Sequence, residues 1–414
     1  MTRIKFGASP SRLATAFALA SIVIAGLASH ARAEKNDTPG VTATEIKIGQ
    51  TMPYSGPASP YSAIGKVESA YFKMLNEKGG VDGRKIDLIS LDDGYSPPKT
   101  VEQTRKLVED DKVAFIWQSL GTPTNTAIEK YLNERKIPQL FISTFASKFN
   151  DPKHFPWTMG GLGSYRTEGQ IYAQYIKQHY PKAKIGVLYQ NDDYGKDYLQ
   201  GLREGLGDKA SMIIKEVTYE VTDPTVDSQI VELQGSGADV FYDISQPKFA
   251  AQAIRKAYDI GWKPVHFLNS VSSSVTAVLK PAGLDKSKGI ISVIAFKDPS
   301  DPRWHDDQGY KDWLAFMQKY YPDGDTADLN NVYGYTQAQM LVQVLKQCGN
   351  DLSRANIMSQ ATHLHNFAPP MLLPGITIDT SATDYQPLKK VRMAKFNGQT
   401  WEIFGDVMQV GSAQ

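Results

Sequence analysis

The chain has 414 residues, 45 Lys and Arg against 44 Asp and Glu, a net charge of +1 and one cysteine. A near-neutral balance without a basic stripe excludes a nucleic-acid partner, and a lone Cys348 excludes an internal disulfide. The length exceeds one ordinary hydrophobic core and suits two.

The N-terminus carries Arg3, Lys5 and Arg12, then an uncharged apolar run over 13–28, then Ala31-Arg32-Ala33. That order is the pattern of a Sec-type signal peptide over 1–33, cleaved after Ala33. The run falls short of the roughly 20 apolar residues that span a bilayer. No Cys stands near the cleavage site to take a lipid. The leader holds Arg3, Lys5, Arg12 and Arg32 and no acid, so its loss turns the net charge negative.

Beyond it, β-rich runs alternate with helical periods, the signature of a parallel sheet wrapped by helices. A first set predicts strands at 46–52, 86–91, 113–117 and 139–142, with helices at 63–78, 97–110 and 122–134 between them. After the Pro- and Gly-rich stretch 152–163, a second set predicts strands at 184–189, 212–218, 240–244 and 265–268. Its helices fall at 165–179, 194–207, 226–234 and 247–260. The tail holds two long helices, 307–321 and 332–346, and a hairpin about Asn397-Gly398. Too poor in strands for a third sheet, the tail completes units already begun. The chain therefore recrosses between two α/β units, and the crossing segments act as a hinge.

Ligands of open parallel sheets sit beyond the carboxyl ends of the strands. The turns there, 53–61, 119–124, 143–147, 191–194, 245–247 and 269–274, are rich in hydroxyls, amides and aromatics and poor in charge. Such a lining suits a partly apolar ligand whose polar end is held by hydrogen bonds. Leu120-Gly121-Thr122-Pro123-Thr124 opens a helix. Its free N–H groups suit a carboxylate, and equally Thr122 suits a helix cap with Pro123 at the first position.

No Gly-x-Ser-x-Gly elbow, Walker loop or complete Gly-x-Gly-x-x-Gly follows a strand. His363 and His365 lack companions for a metal site, and Asp92-Asp93 and Asp192-Asp193 read as turn and cap residues. Cys348 reads as a buried helix residue. The expectation is a binding protein without enzymatic activity, cofactor or metal.

Ser55-Gly56-Pro57, Lys78-Gly79-Gly80-Val81-Asp82-Gly83, Asp92-Asp93, Asp193-Tyr194-Gly195 and the stretch 238–261, in this order, resemble the leucine/isoleucine/valine-binding proteins. These are the hydrophobic-amino-acid branch of the type I periplasmic binding proteins, and the likeness runs over essentially the whole mature chain. It implies an α/β fold of two Rossmann-like lobes joined by three hinge crossovers, with the ligand buried between them. Lobe 1 would be 41–160 plus 294–373 and lobe 2 would be 161–293 plus 374–410. The resemblance further implies a monomeric periplasmic subunit that feeds the permease subunits of an ABC importer in the inner membrane, or a ligand-sensing partner of a membrane receptor.

Matched position by position, the family's carboxylate turn falls on Leu120, Gly121 and Thr122, with Gly121 where serine is usual. Its second turn falls on Ser143, Thr144 and Phe145, with Phe145 where threonine is frequent. Tyr61 and Tyr194 keep the aromatic walls, and Gln246 stands in a further strand-end turn. Val271 stands where the family places an ammonium-binding carboxylate, and Tyr95 and Leu120 stand at its half-cystine positions. A buried ammonium needs a compensating charge. These residues are therefore expected to surround an acid without an α-ammonium, an aromatic one first, with aliphatic acids and amino acids behind it.

Overall fold

The computed structural model describes residues 1–4, 7 and 38–409. Apart from 1–4 and 7, the expected leader and its cleavage site lie outside the described residues. Among the described residues, no helix is long and apolar enough to cross a membrane.

Two sheets organise the chain. β1 (Glu45–Met52), β2 (Lys85–Asp92), β3 (Ile116–Trp117) and β4 (Gln139–Leu140) form the first, in the order β2-β1-β3-β4 with every pair parallel. The second holds β5 (Ile185–Gln190), β6 (Ile213–Tyr219), β7 (Val240–Ile244), β8 (Val265–Leu268), β9 (Ile291–Ile294), β10 (Lys390–Phe396) and β11 (Trp401–Gln409). Its order is β11-β10-β9-β8-β7-β5-β6, parallel from β6 to β9 and antiparallel across β10 and β11. The interior strand β7 is buried along its whole length, as a strand covered on both faces must be.

Helices α1 (Ser62–Glu77), α2 (Pro97–Arg105) and α3 (Thr122–Glu134) connect the strands of the first sheet. The second is served by α4 (Tyr165–His179), α5 (Asp193–Leu206), α6 (Asp227–Gly235) and α7 (Pro247–Asp259). The tail contributes α8 (Gln308–Tyr320), α9 (Leu329–Cys348) and α10 (Arg354–Ala361). Local chemistry starts these helices. Ser164 accepts from Thr167 N at the head of α4, and Asp192 accepts from Tyr194 N and Gly195 N at the head of α5, pairing amides that a helix end leaves free.

The tail completes both units, as its strand-poor pattern requires. Helix α9 lies so close to α1 that a Cβ on Gly334 would stand 2.6 Å from Val67 Cγ1. Cys348 is buried at its end. The β10–β11 hairpin joins the second sheet through β9, a strand the sequence reading left out. Four residues long, β9 sits between a loop and a crossing, paired with β8 on one side and β10 on the other. The third strand, expected over 113–117, shrinks to Ile116–Trp117, and Val113 N bonds instead to Leu107 O. The expected helix over 97–110 changes at Lys106 into a wider π turn.

The segments that pass between the sheets lie side by side. Leu373 N donates to Ala295 O at 2.8 Å and Lys297 N to Met371 O at 2.9 Å, so two of them pair antiparallel. Leu388 N donates to Leu162 O at 2.8 Å and ties a third passage to the tail.

Candidate ligand-binding cleft

A cavity of about 140 Å³ lies between the carboxyl ends of the two sheets. Tyr61, Gly121, Thr122, Ser143, Thr144, Phe145, Tyr194, Gln246 and Val271 all line it.

One wall begins at the turn between β3 and α3. Gly121 occupies the N-cap of α3 with φ +105°, a backbone region that favours glycine. A Cβ there would lie 2.5 Å from Tyr95 Cε2 and 2.6 Å from Thr124 Oγ1. This is the physical reason that a serine has no room. Thr122 is then the first helical residue and Pro123 the second, and no side chain caps the helix. The alternative that Thr122 caps α3 with Pro123 at its first position is thus corrected. The Thr122 hydroxyl points across to Thr144, with the two Oγ1 atoms 2.6 Å apart, and Thr144 Oγ1 lies 3.3 Å from the Tyr165 hydroxyl. Ser143 holds the two turns in register, its carbonyl accepting from Gly121 N at 3.1 Å. The first-turn amides of Thr122 and Thr124 have no intrahelical acceptor, and the helix dipole adds positive potential at the same point.

Aromatic rings form the sides. Tyr165 stacks on Tyr198 with centroids 4.5 Å apart, meets Tyr194 edge-on at 5.2 Å and leans on Phe145 at 5.5 Å. Phe145 in turn meets Tyr333 at 6.1 Å. Tyr61, following β1, donates its hydroxyl to Val271 O beyond β8 at 3.2 Å, a bond that joins the two walls. Toward the crossing segments the lining turns aliphatic, with Ile171, Val293, Ile294 and Leu388.

Val271 lies on the lining as expected, within the single turn Ser270–Ser272. An acid nevertheless reaches this turn from another element, Glu168 of α4. Glu168 Oε1 lies 2.7 Å from Ser270 N and 3.0 Å from the Tyr172 hydroxyl, and Oε2 lies 2.5 Å from Ser270 Oγ and 3.0 Å from the Tyr198 hydroxyl. Burial pushes the carboxyl up to about 7, against the pull of those donors. The signal was present in the sequence: Tyr165, Glu168 and Tyr172 recur at i, i+3 and i+7 on one helix face. Asp243 stays outside the lining, bonded to Ser245 and His266. Tyr95, Tyr165 and Tyr333 also line the cavity without having been singled out as site residues. None of the lining residues is basic.

This arrangement, an open helix N-terminus facing a strand-end turn across an aromatic cavity, is built to hold a small molecule rather than to transform one. The periplasmic binding protein family matches residues 45–400. The chain belongs to that family. The Leu/Ile/Val-binding protein homolog 1 of Brucella suis biovar 1 is similar to it, 25% identical over 315 residues that cover 74% of this chain and 80% of that protein. A branched chain amino acid ABC transporter structure from Thermus thermophilus with bound valine matches with a TM-score of 0.80 at 16% identity, covering 89% of this chain and 97% of that one. A solute-binding protein of an ABC transporter from R. palustris, in complex with benzoate, matches with a TM-score of 0.75 at 18% identity, covering 89% and 98%. The periplasmic binding protein fold is the two-lobed α/β architecture described above. As a member, the chain is a periplasmic binding protein and not an enzyme.

Proposed function

We propose that this chain is a periplasmic receptor, released by cleavage after Ala33, that closes on a small hydrophobic or aromatic carboxylate and hands it to permease subunits in the inner membrane. The closing bodies are lobe 1, 41–160 plus 294–373, and lobe 2, 161–293 plus 374–410. The carboxylate docks on the first turn of α3, receiving hydrogen bonds from Thr122 and Thr144, with Gly121 and Ser143 shaping the approach. Tyr61, Phe145 and Tyr194 flank the apolar body, and Gln246 and Val271 face it from the second sheet.

The observation that carries this reading is the lack of a vacant anion in the lining. Glu168 is its one acid, and Ser270 and Tyr198 already donate to it, with the Tyr172 hydroxyl shared between Glu168 and Leu268 O. An ammonium entering here reaches Glu168 only by displacing one of these donors, and one that does not stands unpaired, at a cost on the order of 3–5 kcal/mol for a buried charge. The volume supports a single ring, since an apolar cavity of about 150 Å³ takes up benzene. The benzoate-bound relative is in keeping with this.

A second reading has one observation in its favour. Glu168 sits on the lining, so an α-amino acid is accommodated if Ser270 releases the carboxylate, and the Brucella relative is named for leucine, isoleucine and valine. Calorimetry with benzoate, 4-hydroxybenzoate, a coumarate, a short fatty acid and leucine separates the two. The proposal expects at least one of the acids to bind, with leucine weaker by about two decades or more. Tight leucine binding with no heat from any acid overturns it.

A further inference from the structure

We infer that the ligand carries, besides its carboxylate, an uncharged hydroxyl that is held between Tyr194 and Gln246. This rests on the carboxylate reading above and narrows it.

Three cavity-lining residues have a polar atom without a partner, the Tyr333 hydroxyl, the Tyr194 hydroxyl and Gln246 Oε1, and Tyr194 and Gln246 are the two that follow strands of the second sheet. Both residues are only 3% exposed, and folded proteins pair nearly all polar atoms buried to that degree. The two stand on the same wall. They follow adjacent parallel strands, β5 and β7, which are aligned with Tyr189 opposite Ile244. Tyr194 opens α5, and Gln246 immediately precedes α7. Tyr219, beside them on β6, does not relieve the shortage. Its hydroxyl accepts from Gln246 N at 3.0 Å and donates to Gln190 Oε1 at 3.1 Å. The first of these bonds also fixes the Gln246 backbone.

What complements the pair follows from its chemistry. Gln246 Oε1 only accepts. Burial raises the Tyr194 phenol well above its ordinary range, so it stays protonated and donates. A hydroxyl gives its proton to Gln246 Oε1 and takes one from Tyr194. A bare hydrocarbon satisfies neither atom, and a second carboxylate leaves Gln246 unpaired against a like-signed oxygen. An ammonium finds two acceptors here but no carboxylate, since Glu168, the one acid of the lining, is held at the Ser270 turn. The carboxylate anchor, Thr122 and Thr144, stands on the first sheet's side and this pair on the second's, so a hydroxy acid binds both walls at once and favours their closure.

The test compares acids that differ by one hydroxyl: benzoate against 3- and 4-hydroxybenzoate, and phenylacetate against mandelate. Calorimetry is run on the native protein and on Tyr194→Phe and Gln246→Leu. At least one hydroxy acid is expected to bind about tenfold or more tighter than its parent. In each variant that ratio is expected to fall to within about threefold, and a ratio taken within one protein cancels any general loss of affinity. Hydroxy acids that bind no tighter than their parents overturn the inference while leaving the carboxylate reading intact. So does an advantage that survives both substitutions. If leucine binds and none of the acids does, the carboxylate reading has failed and the inference goes with it.

Discussion

Thr122 and Thr144 share a 2.6 Å hydrogen bond at the mouth of α3, and with Gly121 as the cap, neither hydroxyl is needed to start the helix. Thr122→Val should therefore weaken binding of the acid by about 1.5–3 kcal/mol, the range of a charge-assisted bond. The melting temperature should fall only slightly, because Thr144 keeps Tyr165 as a neighbour. Calorimetry and thermal melts on the one variant decide; lost stability with intact affinity would return Thr122 to a purely structural role. Residues such as Thr122, Thr144 and Tyr194 were legible in the sequence because a turn after a strand is a local event with a fixed place in an open sheet. Glu168 was not read, although its spacing with Tyr165 and Tyr172 was visible. Its place depends on α4 packing beside the turn after β8, a contact between residues 168 and 270 that no local pattern encodes.

At the scale of elements, the start of α3 is the most constrained feature of the cleft. Gly121→Ala places a methyl group against Tyr95 and Thr124 in a left-handed conformation. It should cost on the order of 1–3 kcal/mol in stability and lower affinity, since Tyr95 lines the cavity and must move. Chemical denaturation measures the first and calorimetry the second; a variant as stable as the native protein would mean that the turn relaxes freely. Most strands and helices were readable from periodicity because their apolar runs are long enough to show it. The exceptions are β3, which keeps two of its five expected residues, and β9, which was not read and pairs with β8 and β10.

Over the whole molecule, several acids are buried beyond what their partners offset. Burial pushes Glu168 and Glu129 up to about 7 and Asp192 and Asp298 up to about 6. Each binds its proton more tightly folded than unfolded, so the folded state is favoured at low pH and loses that advantage as pH rises from about 4 through 7. Asp92 and Glu204, lowered to about 2, act in the opposite sense but titrate below this window. The ligand-free protein should melt at a lower temperature near pH 7.5 than near pH 5, with no gain between them. A steady rise over that interval would mean that these carboxyls titrate normally.

The two-lobed plan was legible because two runs of alternating strands and helices require two sheets, and a strand-poor tail requires recrossing. The pairing of the crossing segments through Ala295 and Leu373 was not, because it joins residues far apart in the chain. Thr122 and Thr144 are 1% and 2% exposed, so on the proposed reading the walls part about these crossings to admit the ligand. The crystal structure of the protein with its tightest-binding acid tests the account most directly. It predicts the carboxylate on the first turn of α3, within hydrogen-bond reach of Thr122 and Thr144, and the apolar body against Phe145 and Tyr165. A carboxylate seated away from α3, or an amino acid with its ammonium on Glu168, would contradict it.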